Sequence, residues 1–206
     1  MIFAEMKNMK LILFVLILFS CRTNPKLLTD KKENTIVVSE KKEYKGIDTV
    51  LINNYIKEPN HDIRVVDHCQ EKFKITDDKK SIEFIDFITQ KEEKFIPIYF
   101  YVFNRICENS DGSLSEVLGK YCLKVIINHP KEVFSHFETN NNDLKRYSSL
   151  LGYEFYFCKQ GTSDLEMNYE KLKEFLTKEL NMKDKETKET YNLFCSETEN
   201  TIKKMD

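Results

Sequence analysis

Ser113-Leu-Ser-Glu-Val-Leu-Gly-Lys-Tyr-Cys-Leu-Lys-Val125 is the stretch on which the fold turns. Leu114, Val117, Leu118, Tyr121, Cys122 and Val125 stand at i, i+3, i+4, i+7, i+8 and i+11, one unbroken apolar stripe on a helix. A stripe of that width is stable only when it packs against other elements. Asp111-Gly112 supply a turn before it, and Ser113 with Glu116 has the pattern of a capping box.

The same pattern repeats on both sides. Downstream, Asn128-His129-Pro130 ends the first helix, and Pro130 suits the first turn of a short one carrying Val133, Phe134 and Phe137. Asp143 can cap a helix with Leu144, Tyr147, Leu151, Phe155 and Cys158, on which Gly152 permits close packing. A second capping box, Ser163-Asp-Leu-Glu166, is expected to lead Leu165, Tyr169, Leu172 and Leu176. The last helix gathers Tyr191, Phe194, Cys195, Thr198, Ile202 and Met205 on one face. Upstream, Ile98-Tyr-Phe-Tyr-Val-Phe103 is apolar all round, as an enclosed element is. Its residues also suit a strand, but its helical neighbours and Pro97 favour a helix.

Ser81 to Gln90 has helical spacing in Ile82, Ile85, Phe87 and Ile88, and Ile47 to Lys57 forms a weaker helix ended near Pro59. Between them, Ile63-Arg-Val-Val66 and Phe73-Lys-Ile75 read as two short strands or as irregular connections. The expected fold is mainly α, an irregular helical bundle or a short α-solenoid, with residues 47–206 as one domain. No fixed-period repeat argues for a true repeat family. Only 5 Gly and 4 Pro interrupt the chain. Its formal net charge is −2, with both signs interspersed, so no basic block points to a nucleic-acid partner.

The beginning of the chain has another character. Lys7 and Lys10 precede the apolar run Leu11 to Phe19, which has the length of a secretory core. It reaches about half of the roughly 20 residues that a bilayer-spanning helix needs. Met1-Ile-Phe-Ala-Glu5 is a poor positive leader, and a start at Met6 would place lysines directly before the run. The run closes on Leu18-Phe19-Ser20-Cys21, an aliphatic residue, two uncharged ones and a cysteine. In these residues the chain resembles the bacterial lipoproteins, and the resemblance covers residues 1–21 alone. It implies residues 1–20 as a signal peptide, cleavage between Ser20 and Cys21, and diacylglycerol on the Cys21 sulfur. The polar residues after Cys21, up to Gly46, are then a flexible tether. The protein is expected on a bacterial membrane through that lipid, facing the periplasm or the cell exterior. Arg22 leaves no acidic residue beside the anchor, a position that governs membrane sorting in some bacteria.

Chemistry is harder to find. The glycine-rich phosphate loops, Gly-x-Ser-x-Gly and His-Glu-x-x-His are all missing. His61-Asp-Ile-Arg-Val-Val-Asp67-His68-Cys69 collects the ligand types of zinc in His61, Asp67, His68 and Cys69. Its spacing follows no established zinc pattern, and a polar loop with ordinary surface histidines and a structural or bridged cysteine is the favoured reading. His129 and His136 are separated by the helix break at Pro130, which argues against a shared ligand face. Tyr99, Tyr101, Tyr121, Tyr147, Tyr153 and Tyr156 at helical spacing suit core packing, or else a groove that stacks a glycan or peptide. Cys69, Cys107, Cys122, Cys158 and Cys195 would lie in an oxidising compartment, where an odd number allows at most two bridges. On apolar helix faces, unpaired cysteines pack as small hydrophobes.

The function expected from these residues is non-catalytic, a membrane-anchored module binding a protein or envelope component, without a cofactor. A metal-dependent hydrolase built on His61–Cys69 is the alternative. A protective, immunity-type lipoprotein is a third reading, compatible with the anchor.

Overall fold

Nine α-helices and one short 3-10 turn, with no strand, form among the described residues. The computed structural model describes residues 49–90, 93–162, 165 and 167–206, all within the unit Lys42–Asp206. The signal-type run, Ser20, Cys21 and the tether lie outside the described residues, as do Ser163, Asp164 and Glu166 of the second capping box. The mainly α bundle expected from the apolar stripes is the observed fold.

The helices are α1 (Thr49–Ile56), α2 (Ile63–Cys69), α3 (Lys79–Ile88), α4 (Ile96–Asn109), α5 (Gly112–Asn128), α6 (Pro130–Thr139), α7 (Asn141–Lys159), α8 (Tyr169–Glu179) and α9 (Lys185–Met205). Pro97 and Pro130 each occupy a first turn, where a missing N–H is harmless. Four helices start on a side chain that accepts an otherwise orphaned backbone N–H: Asp62 for α2, Asp78 for α3, Asn168 for α8 and Asp184 for α9.

Three starts differ from the sequence reading. Residues 63–66 are helical because Asp62 accepts the Arg64 N–H at 2.8 Å and the turn buries Val65, Val66 and Cys69 together. α5 begins at Gly112, with Asp111 in extended backbone before it, so Ser113 lies inside the helix. The nearby Ser115 hydroxyl donates to Ser110 Oγ at 3.0 Å. α7 starts after Asn140, which puts Asp143 in its first turn.

α7 is the organising element. On one side it meets α5, where a Cβ on Gly119 would lie 2.7 Å from the Leu150 carbonyl oxygen. On another it meets α9, where a Cβ on Gly152 would lie 2.5 Å from Thr201 Cβ. Both glycines are therefore needed for helices this close. Ser148 Oγ donates to the Phe194 carbonyl at 3.3 Å and Lys159 Nζ to Asp206 at 3.3 Å, so α7 and α9 run parallel, with α8 between them in sequence. Tyr147 and Phe194 anchor an aromatic cluster in which Phe137 lies 5.2 Å from Tyr147 and Phe134 lies 5.4 Å from Phe194. Offset and edge-on rings of this kind add to the area they bury. No helix among the described residues is long and apolar enough to cross a membrane.

Candidate functional site

The enclosed run at 98–103 becomes α4, and only part of the helix is enclosed. Ile98, Tyr99, Val102, Phe103, Ile106 and Cys107 face the core. Its other positions follow at helical spacing: Phe100, Tyr101, Asn104, Arg105 and Glu108 line an open cleft of about 330 Å³, completed by Pro97, His136 and Asp143. Around Arg105 a second cleft of about 300 Å³ opens, walled by His68, Glu71, Lys74 and Asn109 over Phe73, Ile75, Ile106 and Leu114. Arg105 belongs to both, and its guanidinium donates to the Tyr101 hydroxyl at 3.2 Å. That hydrogen bond, together with the carboxylates of Glu71 and Glu108, holds the guanidinium charged against its partial burial.

In the first cleft the imidazole of His136 is fully engaged. Its Nε2 lies 2.8 Å from Asp143 Oδ2, and Asn140 Nδ2 lies 3.3 Å from its Nδ1. A carboxylate only accepts, so the short contact to Asp143 places a ring proton on Nε2, which donates to it. Arg146 pairs with the other oxygen of Asp143. Tyr147 donates to Asn104 Oδ1 at 2.7 Å, and the edge of Phe100 closes on the imidazole at 4.9 Å. The network therefore joins α4, α6 and α7 by side chains whose partners are already chosen.

His68, in the second cleft, is different. Its Nδ1 lies 3.2 Å from the Phe73 carbonyl oxygen, so Nδ1–H donates and Nε2 keeps its lone pair. Burial lowers its pKa, the bond to Phe73 works against that, and the charge of Arg105 adds to the lowering. A neutral ring with one acceptor nitrogen thus lies in the same cleft as a guanidinium and an ammonium. Glu71, on the rim, has φ of 59°, a left-handed backbone unusual for a residue with a side chain.

The four residues considered as zinc ligands are not brought together. His61 Nδ1 donates to the Glu58 carbonyl at 2.7 Å, and His68 is held by Phe73. Cys69 is buried beneath α4, and burial pushes its thiol up to about 11 in spite of Arg105. Among the described residues no three His, Cys, Asp or Glu side chains form a group that can hold a metal ion. His129 is buried at the turn between α5 and α6, apart from the role of His136. Of the six tyrosines, Tyr99, Tyr121 and Tyr147 are core residues, Tyr101 lines the cleft, Tyr156 is half-buried, and Tyr153 is exposed.

A larger opening of about 450 Å³ carries Lys120, Lys124, Tyr121, Asn128 and Asp86, but Lys124 is already spent on Asp86 at 2.8 Å. The Arg105 clefts offer the more varied chemistry: both charge signs, an acceptor imidazole, an amide and aromatic rings over an apolar floor. Reading 98–103 as uniformly enclosed hid them. Continuing the helix to Glu108 puts Asn104, Arg105 and Glu108 on one line with Phe100 and Tyr101, a signal that was present in the sequence. The chain matches no family model, no curated protein and no solved structure.

Proposed function

We propose that this chain is a lipid-anchored bacterial envelope protein whose helical domain binds a protein or envelope component along the outer face of α4. The observation that carries the binding part is the pair of clefts sharing Arg105. Pockets suited to ligands combine an apolar lining with a few convergent polar groups, and this groove does so. Arg105 and Lys74 suit acidic or acceptor groups of a ligand, while Glu71, Glu108 and the Nε2 lone pair of His68 suit amines and hydroxyls. The support for the anchor is Leu18-Phe19-Ser20-Cys21 behind its apolar run. Two or more acyl chains hold a protein stably at a bilayer, where one does so only marginally.

A non-catalytic role is favoured by the state of the reactive groups. Both nitrogens of His136 are occupied, and Cys69 is held as a thiol at neutral pH. The test is crosslinking of the intact protein in envelope extracts, wild type beside Arg105→Ala. The expected result is a crosslinked species present with wild type and reduced at least tenfold with Arg105→Ala. Equal recovery with both proteins would remove the groove from the function.

A further inference from the structure

The cleft on the His136 side is built on two rows of α4, each stepping by four residues. Pro97, Tyr101 and Arg105 form one row, and Phe100, Asn104 and Glu108 form the other. Both rows pass from apolar side chains at the start of the helix to charged ones near its end. The half-buried rings of Phe100 and Tyr101 thus adjoin polar groups rather than a closed apolar socket.

Asn104 is the fixed donor of this cleft. Its Oδ1 accepts from the Tyr147 hydroxyl at 2.7 Å, and Tyr147 is fully buried, so the amide is held with Nδ2 on its other side. Among the described residues Nδ2 faces only His136 Nε2, at 3.4 Å. That nitrogen donates to Asp143 and has no lone pair with which to accept. The amide N–H groups are therefore positioned without an acceptor among the described residues, and water or a ligand takes them. The charges nearby are already matched: Glu108 acts on Arg105, and Asp143 pairs with Arg146. An ion of either sign would meet a like charge here, which favours a neutral ligand. A peptide fits less well. An extended one needs a sheet edge, and the described residues contain no strand. A helical one needs a continuous apolar groove, which Asn104 interrupts.

We propose that this cleft binds an uncharged, hydroxyl-rich glycan, one sugar hydroxyl accepting from Asn104 Nδ2 and a neighbouring one donating to the Glu108 carboxylate. The proposal rests on the outer face of α4 being the binding surface, and it names the ligand class. A hydroxyl donates and accepts at once, so adjacent hydroxyls satisfy an amide donor and a carboxylate acceptor one helical turn apart. The C–H face of the sugar ring covers Phe100 and Tyr101, whose rings supply the apolar side of the contact. A cleft of about 330 Å³ has the size of a small-ligand site.

The test applies the purified full chain to an immobilised panel of uncharged oligosaccharides built from glucose, galactose, mannose and N-acetylglucosamine. Sialylated and sulfated oligosaccharides and acidic peptides share the same surface. Uncharged members are expected to retain the chain, and acidic ones are not. Asn104→Asp keeps an oxygen for Tyr147 but replaces the N–H donors with an acceptor, and should weaken retention about tenfold. Glu108→Ala, at an exposed position, should weaken it about fivefold, and serves even where Asn104→Asp fails to fold. Retention of the wild type by acidic members alone or by none would overturn the proposal. So would unchanged retention with Glu108→Ala or with a folded Asn104→Asp. Loss of the crosslinked species in Arg105→Ala, with no uncharged glycan retaining the wild type, would leave the groove as the binding surface and remove the glycan. Equal crosslinking of wild type and Arg105→Ala would remove the groove itself, which is a different result.

Discussion

At the scale of single residues, His68 gives the fold a pH dependence whose sign is set by burial. Its folded pKa lies below the ordinary histidine value of 6.5, so the unfolded chain binds its proton more readily than the folded one. Stability is then full above the unfolded value and falls as the pH drops toward the folded one. The melting temperature is expected to decrease between pH 7 and pH 5.5, and to decrease less in His68→Gln. An equal slope in both proteins would show that His68 does not carry the effect. The carboxyls of Asp62 and Asp86 titrate lower still, so they do not confuse this window. Burial works against ionisation of Asp62, and the hydrogen bonds and charge of Arg64 outweigh it; the Lys124 ammonium holds Asp86 down. Tyr147 poses a second residue-scale test. Its hydroxyl donates to Asn104, which faces the His136 cleft. Tyr147→Phe keeps the ring among Phe103 and Phe137 but strands an amide oxygen, a loss of about 1–2 kcal/mol. Denaturant unfolding measures it, and a change under about 0.5 kcal/mol would mean that water replaces the hydroxyl at no cost.

At the scale of elements, the contacts of α7 predict opposite outcomes for one kind of substitution. Gly→Ala inside a helix ordinarily gains about 1 kcal/mol from propensity. At Gly152 the new methyl would overlap Thr201, and at Gly119 it would overlap a backbone carbonyl that cannot turn aside. Overpacking of that kind costs about 1–3 kcal/mol and here outweighs the gain. Gly119→Ala and Gly152→Ala should both lower the melting temperature, whereas Gly112→Ala, with nothing near its Cβ position, should not. If all three behave alike, the close helix approaches are not needed. The same contrast explains how much the sequence reveals. Of the stripe, Leu114, Leu118, Tyr121, Cys122 and Val125 are buried as their spacing requires, and Val117 is half-buried against the core. Gly119, Leu123 and Ile126 of the same helix are buried as well, because α5 is enclosed beyond one face. Spacing reports the face that must be covered, not how many neighbours cover it. At 63–66 the β-branched residues suggest a strand, but a single capping aspartate and a three-residue apolar face decide for helix. The clefts are less legible still. Arg105 gains its meaning from His68, Glu71 and Lys74, which lie more than thirty positions earlier and come within reach only through the packing of α2 against α4.

At the scale of the whole molecule, anchoring and folding are proposed to be separable properties. The buried core runs from Ile52 to Phe194 and is closed by apolar side chains of the nine helices. The proposed attachment depends on a single sulfur, that of Cys21, whose acyl chains would contribute about 0.8 kcal/mol for each buried methylene. Cys21→Ser should therefore abolish incorporation of labelled palmitate and move the protein out of the membrane fraction. Its helical circular dichroism and melting temperature should stay those of the wild type. Arg105→Ala should do the reverse, keeping palmitate and membrane partition while losing the crosslinked species. If Cys21→Ser still sediments with membranes and keeps its processed mass, lipid attachment at that sulfur is wrong, and the groove on α4 must be explained without it. If it instead loses its melting transition, the anchor region takes part in the fold, and the two properties are not separable.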